Sequence, residues 1–162
     1  MSVLYPVLGF VVLQRAAELG VAATNTRHLR AQGAVEIDAR GYPWFVLLHG
    51  AWLASLFLLV PPNAAPAWPL LAVFAALQLG RLWVIATLGG RWTTRIIVLP
   101  GAQLVEGGPY RYLRHPNYAI VAGEIAVLPL AFGAIAIALV FSAANLLLVL
   151  RRIRIEDRAL AV

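Results

Sequence analysis

The sequence predicts an all-α, polytopic integral membrane protein with about five transmembrane helices. Of its 162 residues, 62% are hydrophobic, and the mean hydropathy is +0.82. A soluble domain is closer to half apolar. The apolar residues are gathered into long runs, and arginine-rich polar segments separate these runs. Long apolar runs with charged ends are typical of chains that cross a bilayer.

The charge pattern predicts a lipid bilayer as the partner and argues against nucleic acid. The net charge is +6, and all 13 basic residues are arginines. They lie at the ends of apolar runs, where positive-inside topology places them, and not on one basic face. No cysteine is present, and His28, His49 and His115 share no ligand spacing. We therefore expect neither disulfides nor a metal centre.

The first predicted helix covers residues 3–23. The N-terminal segment has no positively charged region and no obvious cleavage site, so we expect a retained helix and not a signal peptide. Arg15 and Glu18 interrupt this helix three residues apart, on one face, and we expect them to pair, either as an ion pair that holds helices together or in a catalytic role. The polar residues 24–41 that follow carry arginines and are expected in the cytoplasm.

The second predicted helix covers residues 44–60. It contains His49, and a histidine inside a span usually faces protein or a cavity. His49 is therefore either a hydrogen-bonding group between helices or a substrate contact. The segment PPNAAP at residues 61–66 has no charge and two helix-breaking prolines at its start, which predicts a turn on the outer side.

The third predicted helix covers residues 68–88 and contains Arg81. An intramembrane charge needs a partner, and Glu124 is our candidate. The pair is either structural or in contact with substrate. Residues 89–118 return to polar sequence, and we expect a largely irregular segment at the cytoplasmic interface.

A helical hairpin is predicted for the apolar stretch at residues 117–150. One straight helix of 34 residues would run about 51 Å, which is too long for a hydrocarbon core of about 30 Å. Pro129 and Gly133 lie near the middle and predict the break. The hairpin returns the chain to the cytoplasm and places residues 110–118 beside residues 152–156. The N-terminus is then outside and the C-terminus inside.

The most informative stretch is GGPYRYLRHPNYAIVAGE at residues 107–124. Pro116 restrains His115 and suits the first turn of a helix, whose free N–H groups attract anions. Tyr110, Tyr112 and Tyr118 offer flat faces with polar tips, which suit an adenine or a ribose. The pattern favours a nucleotide-like ligand. A proline-capped helix with interfacial tyrosines is the alternative.

A second informative stretch is RRIRIEDRAL at residues 151–160. Arg152 and Glu156 are four residues apart and share one helix face. Arginine presents a planar fork for a carboxylate or an enolate, and Glu156 can accept from an amine or from ribose hydroxyls. The alternative is a solvated ion pair at a helix end.

Together these motifs resemble the isoprenylcysteine carboxyl methyltransferase family of membrane enzymes. The resemblance rests on GPYRYLRHPNY followed, after a hairpin, by RIRIEDRAL, and it covers residues 102–160. Three further features are similar to a bacterial branch that O-methylates alkylpyrones and alkylresorcinols, the lipids made by type III polyketide synthases. These features are QR in the first helix, YP before the second, and RWTTRIIVLPG before the core.

The resemblance implies S-adenosylmethionine as the cofactor and a role for each matching position. Residues 1–88 would be scaffold helices and residues 89–162 a catalytic core, within one domain covering residues 1–162. Arg152 would meet the acceptor's anionic oxygen as the catalytic residue, and His49, Arg81 and Glu124 remain candidate substrate contacts. The cofactor-binding residues implied are Ala102, Gln103, Leu104, Val105, Tyr110, His115, Pro116, Asn117, Tyr118 and Glu156.

The expected reaction is methyl transfer to an acidic oxygen of a lipophilic acceptor at a bacterial cytoplasmic membrane. The active site would face the cytoplasm, and a type III polyketide synthase is a candidate functional partner. Two other enzyme classes stay open as alternatives. One is an N-methyltransferase of phospholipid amines, and the other is an NADPH-dependent membrane reductase that carries a similar RHPNY stretch. A non-catalytic membrane scaffold would explain the helices but not both polar stretches.

Overall fold

Five α-helices and one β-ribbon form residues 3–160, the part of the chain that this computed structural model describes. The elements are α1 (Leu4–Ala31), β1 (Val35–Ile37), α2 (Tyr42–Leu59), α3 (Trp68–Leu88), β2 (Ile96–Val98), α4 (Pro116–Ala131) and α5 (Ile135–Leu160). The predicted all-α, polytopic membrane fold is confirmed. The predictions for residues 1–2 and 161–162, the ends of the retained helix and of the cytoplasmic tail, lie outside the described residues.

Four of these helices are long and apolar enough to cross a membrane: α1, α2, α5, and α3 with the turn that follows it. The fifth, α4, has 16 residues, or about 24 Å at 1.5 Å per residue. It is therefore shorter than a hydrocarbon core of about 30 Å. Large apolar side chains such as Leu13, Leu58 and Leu147, each at least 70% exposed, point away from the protein and form its lipid-facing surface.

The first helix is longer than predicted. It continues to Ala31, so the predicted end at residue 23 is wrong. Residues 24–31 are polar but contain neither glycine nor proline, and Gly33 follows at φ 92°. The last helix continues through its arginines to Leu160, so Arg152 and Glu156 lie on one helix, as predicted. Polar side chains end the apolar run in both cases, but they do not break the helix.

The β-ribbon is a correction to the irregular structure expected in residues 89–118, and its other strand lies in residues 24–41, for which no strand was predicted. Strands β1 and β2 are antiparallel, with Val35 opposite Val98 and Ile37 opposite Ile96. Each strand has three residues, and strands this short carry almost no alternation signal. Their pairing joins segments on either side of two membrane helices, which local sequence does not reveal.

The predicted hairpin is confirmed. Helix α4 ends at Ala131, just after Pro129, and Gly133 adopts φ 72°, a left-handed conformation that favours glycine. The N–H of Ala67 donates to the carbonyl of Ala131 over 2.7 Å, which ties this turn to the one between α2 and α3. Both turns therefore lie at one end of the bundle. The ribbon and the two polar stretches lie at the other, which we call the polar end.

An ion cluster inside the bundle joins α1, α3 and α4. The carboxylate of Glu124 accepts from Arg81 Nε at 3.0 Å, from Arg15 at 2.6 Å and from Gln78 at 2.8 Å. Arg15 also pairs with Glu18 at 2.7 Å. Both predicted pairs, Arg15 with Glu18 and Arg81 with Glu124, are confirmed. These five residues, the intramembrane ion cluster, carry two positive and two negative charges and therefore balance.

Candidate functional site

A cavity of about 550 Å³ opens at the polar end of the bundle. Its walls come from β2 and the loop after it, from the start of α4 and from the end of α5. Arg152 and nine of the ten predicted cofactor residues line it, and Pro116, the tenth, is buried without lining it. The lining residues from that prediction are Ala102, Gln103, Leu104, Val105, Tyr110, His115, Asn117, Tyr118 and Glu156.

Tyr118 joins the two polar stretches. Its hydroxyl donates to Glu156 Oε2 at 2.5 Å and accepts from Arg152 Nε at 2.9 Å. Within residues 3–160, Arg152 and Glu156 make no direct ion pair. The alternative of a plain solvated i,i+4 pair therefore does not describe this helix end. The hairpin is what brings Tyr118, on α4, to the face of α5 that carries both residues.

Arg152 is a buried cation held by neutral groups. Only 8% of the residue is exposed. Its Nη2 donates to the carbonyl of Thr94 at 2.9 Å, and its guanidinium carbon lies 5.1 Å from the centre of the Phe45 ring. No carboxylate of the described residues pairs with it, in contrast to Arg15 and Arg81. Its Nη1 has no hydrogen-bond partner in the same part of the chain, so the fork keeps a donor for a ligand.

Glu156 also keeps a free oxygen. Its Oε2 accepts from Tyr118, whereas Oε1 has no hydrogen-bond partner within residues 3–160. One carboxylate oxygen is thus tied to the protein and the other is left for a cationic or hydroxyl donor. The Arg152 and Glu156 side chains line the same cavity from successive turns of α5.

His115 is oriented by a second carboxylate. Its Nε2 donates to Asp157 Oδ1 at 3.1 Å, and its ring stacks on Tyr118 with centroids 5.4 Å apart. Pro116 follows at the first position of α4, so His115 lies directly before the N-terminus of that helix. Asp157 therefore orients the imidazole of His115, a residue that the sequence had already predicted for the site.

Tyr110 remains a hydrogen-bond donor at neutral pH. Burial, assisted by the negative charge of Glu156, raises the pKa of the Tyr110 hydroxyl to about 12. The residue lies in the short 3₁₀ turn Gly108–Arg111, directly after Pro109. A phenol with so high a pKa does not serve as a base near pH 7, so its role is to bind and not to take up a proton.

Two buried polar atoms of the cavity wall lack partners in the described chain: Asn117 Oδ1, an acceptor, and Trp92 Nε1, a donor. Leaving such a group unpaired costs about 1–3 kcal/mol. Trp92 is only 2% exposed. Both atoms are shielded from solvent and are polar groups that this part of the chain leaves unsatisfied.

The cavity also has an apolar side. The ends of α1 and α3 and the residues around β2 supply it, through Leu29, Leu88, Trp92, Ile96, Leu99 and Leu104. Polar groups from α4 and α5, among them Asn117, Tyr118, Arg152 and Glu156, line the same cavity. The cavity therefore has polar lining residues that suit a charged, hydrogen-bonding ligand and apolar lining residues that suit a hydrocarbon chain.

Three predicted substrate contacts do not line the cavity. Arg81 and Glu124 bond to each other in the intramembrane ion cluster. The Nδ1 of His49 donates to the Phe45 carbonyl at 2.8 Å, one turn earlier in α2, so its bond lies within a helix and not between helices. Substrate contact by these three residues stays a prediction.

Sequence reasoning missed Phe45 and Thr94 beside Arg152, Asp157 beside His115, and Trp92 in the cavity wall. Thr94 acts through its backbone carbonyl, which no side-chain motif can signal. Phe45 and Trp92 belong to no motif of the site. Asp157 adjoins Glu156, and its charge was the only signal it gave. Among residues 3–160, no group of three or more acidic or histidine side chains is arranged to hold a metal ion.

Comparison with known proteins gives one family and two relatives. Residues 70–162 match the family model described as "Isoprenylcysteine carboxyl methyltransferase (ICMT) family". "Uncharacterized protein YpbQ" of Bacillus subtilis (strain 168) is 38% identical over 157 residues, covering 94% of each chain. An "Uncharacterized protein" of Haemophilus influenzae is 27% identical over 154 residues, covering 91% of this chain and 88% of that one. No solved structure matches the chain significantly.

Proposed function

This chain belongs to the isoprenylcysteine carboxyl methyltransferase family of membrane methyltransferases, and we propose that it transfers a methyl group from S-adenosylmethionine to an anionic oxygen of a lipophilic acceptor. Members of this family are generally dependent on S-adenosylmethionine. The proposal divides the cavity between two ligands. The cofactor would occupy the side formed by α4 and α5, and the acceptor's chain the apolar side.

The cavity residues fit this cofactor. A volume of about 550 Å³ lies within the range of small-molecule sites. Glu156 Oε1, which has no hydrogen-bond partner within residues 3–160, is a free acceptor for the ammonium or a ribose hydroxyl. Tyr110 and Tyr118 offer ring faces to an adenine. Residues 102–105 also line the cavity.

The observation that carries the acceptor proposal is the unpaired burial of Arg152. A buried cation without a counter-ion is costly, and the described chain gives this one only a hydroxyl and a carbonyl. An anionic acceptor oxygen would supply the missing charge. An amine acceptor would place a second cation beside it, which argues against a phospholipid N-methyltransferase.

The chemistry needs little from the protein beyond placement. S-adenosylmethionine supplies an electrophilic methyl group on a positively charged sulfur. The oxygen of a carboxylate or an acidic enol is already ionised near neutral pH, so no general base is required. Arg152 holds that oxygen through its free Nη1, while Tyr118 and Thr94 fix the plane of the guanidinium. Holding reacting atoms in line is worth several powers of ten in rate.

The acceptor class follows from the apolar wall and from the bacterial branch that the sequence resembles. Alkylpyrones and alkylresorcinols combine an acidic ring oxygen with a long hydrocarbon chain. The ring would meet Arg152 and the chain would lie along residues such as Leu29 and Leu88. A type III polyketide synthase would be the source of such lipids. We place the polar end in the cytoplasm of a bacterial inner membrane, since arginines concentrate there.

Arginine-to-lysine replacement at position 152 tests the proposal. Lysine keeps the charge but lacks the planar fork, and a misplacement of about 1 Å costs on the order of 100-fold. We expect Arg152→Lys to bind S-adenosylmethionine normally and to transfer methyl about 100-fold more slowly. Labelled methyl transfer to alkylpyrones, alkylresorcinols and prenylcysteine measures the rate. Calorimetry of the detergent-purified protein measures cofactor affinity.

The matched control is Arg154→Lys, which makes the same change at an exposed position of α5. Equal turnover in wild type and Arg152→Lys would place Arg152 outside the chemistry. Methylation of a phosphatidylethanolamine amine alone would favour the N-methyltransferase, and binding of NADPH in place of S-adenosylmethionine would favour the reductase.

A further inference from the structure

An ion pair next to Arg152 in the chain lies outside the cavity. Arg151, the preceding residue, makes a two-pronged pair with Asp38, with Nη1 to Oδ2 and Nη2 to Oδ1 each at 2.8 Å. Asp38 follows directly after strand β1. The pair therefore fastens the β-ribbon to α5 at the turn that carries Arg152.

The local backbone is shaped around this pair. Asp38 has φ 58°, and it is the sole described residue other than glycine with a positive φ. Aspartate tolerates this conformation better than most residues, but it is still uncommon. A Cβ built on Gly41 would lie 2.0 Å from Asp38 Oδ2 and 2.5 Å from Arg151 Nη1. Position 41 thus has no room for a side chain while the pair is made.

The ribbon in turn holds Arg152. Thr94, two residues before β2, accepts from Arg152 Nη2 through its carbonyl at 2.9 Å. The ribbon is braced on its other side by Glu36, which accepts from Arg95 at 2.6 Å and also pairs with Arg30. The guanidinium of Arg95 lies 4.2 Å from the centre of the Tyr42 ring, at the start of α2.

We propose that Asp38 and Arg151 form an ionic latch that closes the β-ribbon on α5 and thereby positions Arg152 for the acceptor. Resting on the proposed function above, this inference assigns Asp38, Gly41 and Arg151 as positioning residues. None of them lines the cavity. When the latch opens, the Thr94 carbonyl is no longer held against Arg152, and the guanidinium keeps only its bond to Tyr118.

Three variants open the latch by different means. Asp38→Asn removes the charge and keeps a residue type that tolerates the left-handed conformation. Arg151→Ala removes the partner. Gly41→Ala changes no charge but pushes the two side chains apart. The matched controls are Arg154→Ala, an exposed arginine on the same helix, and Gly50→Ala, a position on α2 with open space around it.

Hydrogen exchange measures whether the latch is closed, and it requires no enzymatic turnover. We expect the amides of residues 35–37 and 96–98 to exchange roughly three- to fivefold faster in all three latch variants, the change that loss of an exposed ion pair produces. Both controls should exchange like wild type. Unchanged protection in Gly41→Ala and Asp38→Asn would overturn the inference.

Kinetics then tests the effect on Arg152. We expect kcat to fall by a factor of about five in each latch variant, with the affinity for S-adenosylmethionine unchanged. The double variant Asp38→Asn/Arg151→Ala should be no slower than the slower single variant, because both changes open the same latch. Faster exchange with unchanged kcat would overturn the positioning role. Absence of methyl transfer in the wild type would instead overturn the proposed function, and exchange would still decide the latch.

Discussion

At the scale of single residues, the site depends on the hydroxyl of Tyr118. One phenol oxygen, with Glu156 on one side and Arg152 on the other, keeps apart two charges that would otherwise neutralise each other. Arg152 and Glu156 are both held by hydrogen bonds within the protein, and each retains one further polar atom for a ligand. A cation and an anion can therefore share one cavity wall, as a reaction between a sulfonium cofactor and an anionic acceptor requires.

The Glu156→Gln variant tests the cofactor side of this arrangement. The amide keeps the size of the side chain but loses the negative charge that would attract the cofactor's ammonium. Loss of a hydrogen bond to a charged group costs about 1.5–3 kcal/mol, so the affinity for S-adenosylmethionine should fall roughly 10- to 100-fold. Calorimetry on the purified variant measures this.

The control for this change is Arg158→Ala, an exposed residue of the same helix that does not line the cavity. Its cofactor affinity should match that of wild type. Wild-type affinity in Glu156→Gln, with the melting temperature preserved, would remove Glu156 from the cofactor site.

At the scale of elements, the intramembrane ion cluster holds α1, α3 and α4 together. Arg81 and Glu124 are buried, at 3% and 1% exposed, and Arg15 is half-buried. Such a cluster is sensitive to the loss of any one partner, because the remaining charge stays buried and uncompensated. Its bonds to Glu124 connect residues more than 40 positions apart, so it fixes which helices are neighbours.

Glu124→Gln should therefore destabilise the fold. Leaving Arg15 and Arg81 without their shared carboxylate costs about 3–5 kcal/mol, and we expect the apparent melting temperature to fall by on the order of 10 °C. Thermal unfolding in detergent measures this. Glu106→Gln makes the same chemical change at an exposed position and should leave the melting temperature within about 2 °C.

Glu124→Gln also distinguishes a structural role of Glu124 from a substrate contact. If Glu124 is purely structural, Glu124→Gln lowers stability and leaves the KM for the acceptor unchanged in the protein that remains folded. A higher acceptor KM at unchanged stability would instead support the predicted substrate contact by Glu124, and with it that of Arg81.

At the scale of the whole molecule, the two ends of the bundle have opposite character. The turns at residues 60–67 and 132–134 carry no charged residue, whereas the polar end carries most of the 13 arginines. A methyltransferase that takes its cofactor from the cytoplasm and its acceptor from the bilayer needs this asymmetry. The polar end with its cavity should face the cytoplasm.

Cysteine labelling from each side of the membrane tests the orientation, since the chain has no cysteine of its own. Arg111→Cys should be labelled from the cytoplasm and Asn63→Cys from outside, both being exposed positions. Gly108 is a poor reporter, because a Cβ there would lie 2.4 Å from Thr87 Oγ1. Labelling of Arg111→Cys from the outer side alone would reverse the topology and contradict a cytoplasmic cofactor site.

Local chemistry in the sequence is enough to predict the helices, the hairpin and part of the cavity wall. Apolar runs, Pro129 with Gly133, and the two polar stretches each give a strong signal within a few residues. The end of the first helix was predicted too early, at residue 23, because polar residues were taken to end a helix that they do not break.

The features that escaped prediction all depend on pairs distant in sequence. The ribbon joins residues 35–37 to residues 96–98, the Thr94 carbonyl meets Arg152, and Asp38 meets Arg151 across 113 positions. Each interaction is made by a short strand, a backbone atom or an ordinary surface charge, none of which stands out in one dimension. Folding creates these contacts by bringing distant segments to the polar end. The contacts orient the guanidinium of Arg152, a residue that the sequence identified without showing its orientation.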